Sequence, residues 1–260
     1  MSQLDGTEGT KDEHDAAAAA EPPSNAEAAA VTTAADAPAP EQATDEATDQ
    51  PEPEVDEAEP LARRARELAA GGHTLSAIGA LRELLTLRPR DVEHRRELAR
   101  LLERNGQTDA AVLELDRALE QAPDDVALLC ARAALLTTLL RYERAEADLR
   151  RAAKLDERNV EVLTGLGNLA CKRGRWRDGL EPLRRATELA PEHAPAFYYL
   201  GEVYHRLDQL APALQAYERA VELDPAGWRA LKGMGNVLDR MKRPDEAAVA
   251  HRRALEAQRR

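Results

Sequence analysis

The sequence predicts an all-α chain: a stack of helical hairpins, an α-solenoid, preceded by an acidic segment that lacks the residues for a core. Three observations predict it. First, one turn recurs at a fixed interval. Pro89 in LTLRPRD and Pro123 in LEQAPDD lie 34 residues apart, as do Pro191 in TELAPEH and Pro225 in VELDPAG. Glu157 in AKLDERN marks the same turn midway between Pro123 and Pro191, without its proline. Second, the 260 residues include one Phe, two Trp and five Tyr, fewer rings than a β-rich or mixed core uses. Ala, Leu, Arg and Glu, all good helix formers, dominate instead. Third, small residues fall in fixed columns of the repeat, as close helix packing requires.

In register, the units are 58–91, 92–125, 126–159, 160–193, 194–227 and 228–260. Position 8 reads Ala65, Ala99, Ala133, Gly167, Gly201, Gly235, and position 20 reads Ala77, Ala111, Ala145, Gly179, Ala213, Ala247. Small side chains there let two antiparallel helices approach. Larger residues at positions 4, 7, 11 and 24 fill the space around the contact, with Leu81, Leu115, Leu149, Leu183, Tyr217 and His251 in the last of these columns. Position 27 is small from Ala118 to Ala254, which lets the next unit pack on the second helix. Gly72, Gly106 and Gly174 at position 15 supply the turn between helices. Proline at position 32 stops the second helix, and Pro60 suits a first helical turn. Leu140, Asp208 and Lys242 depart from the glycine of position 15, and His251 departs from an apolar column. The histidine is expected to reflect a partly exposed last helix.

These columns resemble the tetratricopeptide repeat, a helix–turn–helix unit of about 34 residues. The resemblance covers 58–260. It implies a right-handed superhelical stack with first helices on the concave side and second helices outside. It also implies that the groove holds extended segments of other proteins. The family usually adds a polar capping helix. Here the last helix (PDEAAVAHRRALEAQRR) is polar and is expected to cap the stack itself, leaving a monomer; packing on another copy or a partner is the alternative.

Charge divides the chain. Residues 1–57 carry 16 of the 48 acidic residues and one of the 36 basic ones, Lys11, leaving 58–260 nearly neutral. The acidic Ala/Pro/Asp/Glu-rich segment cannot bury enough apolar surface to offset chain entropy and is read as disordered. A nearly neutral body argues against nucleic-acid binding. The abundance of Arg over Lys reads as compositional bias. No apolar run is long enough to span a membrane, and the acidic N-terminus lacks the features of a secretory signal. Cys130 and Cys171 form no CxxC or zinc spacing. A cytoplasmic protein without a cofactor or metal is expected.

The resemblance places positions 2, 5, 9, 12 and 13 of each first helix on the groove. Candidate partner-binding residues are Arg96, Arg100 and Arg104; Thr164, Asn168 and Lys172; Tyr198, Glu202 and Arg206; and Arg229, Lys232, Asn236 and Arg240. The third unit contributes a smooth floor of Ala127, Cys130, Ala134, Thr137 and Thr138. Basic groups prevail, so the ligand is expected to be a protein or peptide segment bearing carboxylates, held by Arg forks and Asn amides. Lys232 and Asn236 match the start of the family's two-carboxylate clamp for chaperone C-termini, but the following repeats that would complete it are missing. No phosphate loop, GxGxxG turn after a strand, HExxH or GxSxG occurs, so no enzyme is expected. The leading reading is an adaptor or scaffold. The alternatives are a regulatory module inhibited by its acidic segment, and a structural subunit of a larger assembly.

Overall fold

The computed structural model describes residues 58–259, which form twelve α-helices joined by short turns. The acidic segment 1–57 lies outside the described residues. The helices are α1 (Ala58–Ala70), α2 (Thr74–Leu87), α3 (Val92–Arg104), α4 (Thr108–Gln121), α5 (Val126–Thr138) and α6 (Tyr142–Leu155). They continue with α7 (Val160–Lys172), α8 (Trp176–Leu189), α9 (Ala194–Arg206), α10 (Leu210–Leu223), α11 (Trp228–Arg240) and α12 (Pro244–Gln258). Odd-numbered helices are the first helices of the hairpins and even-numbered ones the second.

All six first helices end in the same way. Gln107 N–H reaches back to Leu102 O at 2.8 Å and Gly106 N–H to Glu103 O at 2.9 Å. This pair of bonds closes the C-terminal carbonyls of a helix only if the intervening residue takes a left-handed conformation. Gly72, Gly106 and Gly174 do so at φ 78°, 76° and 69°. Leu140, Asp208 and Lys242 adopt φ 60°, 62° and 59° and make the same bonds. The turn therefore persists where its glycine is lost, at a local steric cost for an L residue. Three first helices start on capping side chains: Asp91, Asp125 and Asn159 accept from backbone N–H groups in the first turns of α3, α5 and α7.

Packing follows the columns. The position 8 and position 20 residues are all buried. The position 24 side chain is a knob that enters between two first helices. A Cβ on Gly167 would lie 2.3 Å from Leu183 Cγ, and one on Gly201 would lie 2.8 Å from the Tyr217 ring. Looking forward to the next repeat, a Cβ on Gly165 would lie 2.7 Å from Leu149, and one on Gly233 would lie 2.5 Å from Tyr217. His251 occupies the same column against Gly235 and bonds Asp239 Oδ2 through Nε2 at 2.9 Å. It is thus packed and paired, with about 36 % of its side chain exposed, on a last helix that is partly exposed.

Arginines join the repeats. Arg132 sits between Asp116 of the preceding repeat and Asp148 of its own, at 2.7 and 2.6 Å. Arg141 reaches Asp109, Arg151 reaches Asp124, Arg173 and Arg175 reach Glu146, and Arg219 reaches Pro191 O. The planar fork and long stem suit this reach across a repeat junction. These arginines thus have a structural use, beyond compositional bias.

Within the described array the first helices α5, α7, α9 and α11 touch one another in series, while successive second helices make no comparable contact. The more tightly packed row lies on the inside of the curve. The first-helix face is therefore the concave one.

Candidate functional site

The concave face carries three hollows, each at a junction of first helices. The α3–α5 hollow, about 590 Å³, has Arg96, Arg100 and Glu103 on one side and Ala127, Ala131 and Ala134 on the other. The α5–α7 hollow, about 230 Å³, is floored by Cys130, Ala133, Ala134 and Gly165, with Thr164 and Asn168 in its wall. The α9–α11 hollow, about 380 Å³, is bounded by Tyr198, Tyr199 and Trp228. Tyr199 also lines the α5–α7 hollow, so the last two share a wall.

The candidate residues separate into three groups by what already holds them. Some are engaged within the fold. Arg96 donates from Nη2 to both carboxylate oxygens of Glu93 on its own helix, at 2.8 and 2.9 Å, and Arg100 lies 4.0 Å from Glu97. Glu202 accepts the Tyr217 hydroxyl at 3.0 Å. Arg240 bonds Asp208 and the His205 carbonyl, in the turn of the preceding repeat. Arg206 rests over the Trp176 ring, 5.2 Å from its centroid, and Arg229 over Trp228 at 5.3 Å. A second group is exposed and forms no ion pair with a described residue: Arg104 on α3, Lys172 on α7 and Lys232 on α11; the neutral Asn236, also on α11, is exposed as well. Tyr198 is half-buried, its ring 4.9 Å from that of Tyr199 and 6.3 Å from that of Tyr217.

The third group is Thr164 and Asn168. Thr164 is only 8 % exposed, and its Oγ1 is buried without a hydrogen-bond partner. Asn168 Oδ1 is in the same condition one helical turn on. The neighbouring Thr137, on α5, satisfies itself by donating to Ala133 O at 2.7 Å. A threonine in a helix has that local bond on offer, and Thr164 does not use it. Buried polar atoms are almost always paired. Both of these residues, one turn apart on α7, line the α5–α7 hollow.

Cys130 and Cys171 are buried free thiols. Burial pushes both thiols up to about 12, so each is protonated at neutral pH. Cys130 is floor to the α5–α7 hollow and Cys171 packs in the core. Burial, reinforced by Arg240, pushes the His205 imidazole below its ordinary value. Among the described residues no cluster of His, Cys, Asp or Glu is arranged to hold a metal ion, and no helix is long and apolar enough to cross a membrane.

Position-by-position reading missed Tyr199 and Trp228. Tyr199 sits at position 6, a column that the expected groove positions omit, and Trp228 at position 1. The available signal was contrast: position 6 is Gly165 and Gly233 in the flanking repeats, and position 1 is otherwise Ala or Val.

A tetratricopeptide-repeat family profile matches residues 55–126, 164–227 and 208–259. Among solved structures, the chain is similar to a tetratricopeptide repeat protein from Parabacteroides merdae, at 17% identity and a TM-score of 0.68, over 77% of this chain and 78% of that one. It is also similar to pilF of Pseudomonas aeruginosa, at 23% identity and a TM-score of 0.57, over 64% and 76%. MamA from Desulfovibrio magneticus gives 24% identity and a TM-score of 0.53, over 65% and 95%. At such identities the likeness is one of fold. No curated protein matches the sequence.

Proposed function

The chain belongs to the tetratricopeptide-repeat family, whose arrays serve generally as protein–protein interaction modules, and from that premise we propose that it is a non-catalytic adaptor holding an extended segment of a protein partner along its first-helix face. The observation that carries this reading is the unpaired Thr164 Oγ1 and Asn168 Oδ1 in the α5–α7 hollow. The backbone amides of an extended segment supply matching groups whatever its side chains. The floor of Ala133, Ala134 and Gly165 is low enough for a main chain to approach. Carboxylates on the segment would meet Arg104, Lys172 and Lys232, which are not already paired, more readily than Arg96, Arg100 or Arg240, which are.

A library of random peptides displayed on phage and selected on the full-length protein tests this. Selected peptides are expected to lose tenfold or more in affinity on Asn168→Ala, and several-fold on Lys172→Glu. Equal binding to wild type and both variants would overturn the reading.

One observation favours a second reading, a structural subunit of an assembly. Position 28 is 7 % exposed at Leu85, Leu119 and Val221, where the next first helix covers it, but Leu255 on α12 is 57 % exposed, and Val249, elsewhere on that helix, 54 %. The apolar residues exposed on α12 are thus large, which weighs against a purely self-capping last helix. Light scattering on wild type and Leu255→Glu tests this, with loss of self-association in the variant as the supporting result and an unchanged monomer in both as the opposing one.

A further inference from the structure

Building on the proposed segment-binding face, we infer that the α9–α11 hollow is an anchor pocket for a bulky apolar side chain of the bound segment, with a nearby carboxylate on that segment meeting Arg229 and Lys232.

The rings of this chain are concentrated there. Apart from Tyr142, every aromatic residue lies between Trp176 and Trp228. Tyr198, Tyr199 and Trp228 wall the hollow, with Pro195 completing its apolar lining. These rings are half-buried in the free protein. They are also held: Tyr198 lies against Tyr199 and Tyr217. A platform that is already ordered loses little entropy when a ligand covers it, which is why aromatic clusters anchor interfaces.

Charge selects what accompanies the anchor. Arg229 rests on the Trp228 ring, and Lys232 follows one turn along α11; neither forms an ion pair with a described residue. The one carboxylate in the lining, Asp224, accepts from Ala226 N–H at 3.2 Å and so is committed to the turn after α10. An incoming cation would meet Arg229 already over the indole face. An incoming carboxylate would meet two cations at the mouth of the hollow and form charge-assisted bonds with them.

The shared wall sets the spacing. First helices pack roughly 8–10 Å apart, so the α5–α7 and α9–α11 junctions are separated by at most about 20 Å, the span of about six extended residues. The recognised segment therefore has a main-chain contact at Thr164 and Asn168 and an apolar anchor up to about six residues away.

The test uses the phage-selected peptides and the full-length protein, read by fluorescence polarisation. Selected peptides are expected to share a Leu, Phe, Trp or Pro next to an acidic residue. Their affinity should fall at least tenfold on Trp228→Ala and at least fivefold on Arg229→Glu/Lys232→Glu, whose exposed side chains can change without disturbing the core. Circular dichroism checks that Trp228→Ala is folded. Peptides that depend on Asn168 but show no such consensus, and bind both α11 variants as well as wild type, would refute the anchor pocket while leaving the proposed function standing. Peptides indifferent to Asn168 as well, or no selected peptides, would refute both.

Discussion

Replacing Thr164 by valine should make the free protein more stable and its ligand weaker. The two side chains are nearly the same size and shape, and their helix propensities differ little. What changes is the hydroxyl, buried in a residue only 8 % exposed and bonded to nothing. An unsatisfied buried hydroxyl costs about 1–3 kcal/mol. Recovering the lower end of that range means a gain of about 1 kcal/mol. For an array of this size that raises the melting temperature by about 2–4 °C. Binding should move in the opposite direction. A lost hydrogen bond of about 0.5–1.5 kcal/mol weakens a selected peptide roughly two- to tenfold. Thermal and urea unfolding give the first quantity, and titration with one selected peptide gives the second. If Thr164 has a structural role, valine lowers the melting temperature. That outcome, or no change in either measurement, would refute the argument that the hydroxyl awaits a partner.

Leu140→Gly should stabilise the array by about 0.5–1 kcal/mol, the relief of a left-handed backbone at φ 60° less the added freedom of glycine in the unfolded chain. Asp208→Gly should not, because Asp208 also holds Arg240; comparison of their urea midpoints checks the contrast. Glu146 is mostly covered, and although burial works to raise its pKa, Arg175, Arg150 and Arg173 hold it below the ordinary 4.5. Its contribution to stability is then present above about 4.5 and is lost as the pH falls through the lower folded value. Glu146→Gln should accordingly flatten the acid limb of a stability profile between neutral pH and pH 3. Finally, Cys130 and Cys171, buried and with thiols pushed up to about 12, should react with a disulfide reagent at pH 8 only after the chain is unfolded; rapid labelling of the folded protein would contradict their placement.

The repeat was legible because backbone geometry forces it. Two helices that approach closely leave room for only Ala or Gly at positions 8 and 20, so those columns announce the packing before any contact is seen. The turn was legible for a related reason: Leu140, Asp208 and Lys242 break the residue pattern, yet the hydrogen bonds at the helix end demand the same left-handed backbone from whatever stands there. The state of the groove was less legible. Position numbers put Arg96, Glu202 and Arg240 on the concave face, but not whether each is already occupied. Arg96 is held by a glutamate one turn back, Glu202 by a tyrosine on the second helix of its own hairpin, and Arg240 by an aspartate in the previous turn. Each choice depends on distances between side-chain ends, which columns do not record. Thr164 is the same problem inverted. Both Thr137, at position 12, and Thr164, at position 5, fall in groove columns, yet Thr137 bonds its own helix and Thr164 does not, which the columns do not tell.

One substitution pattern links the packing to the groove. In the first three repeats position 8 is alanine and the knob at position 24 is leucine; in the last three position 8 is glycine. Removing that Cβ at Gly201, and another at Gly233, opens a slot that Tyr217 fills completely. The tyrosine brings a hydroxyl into the core, and Glu202 accepts it. Glu202 is the position 9 residue of its repeat, where α7 and α11 carry Asn168 and Asn236. Filling the slot with a ring thus removes one carboxylate from the groove's disposable charge and supports the Tyr198 platform from behind at 6.3 Å. The same glycines that permit a large knob therefore help to shape the aromatic end of the concave face. The rings thus gather around α9 and α11, and the uncharged α5 floor separates them from the paired arginines of α3.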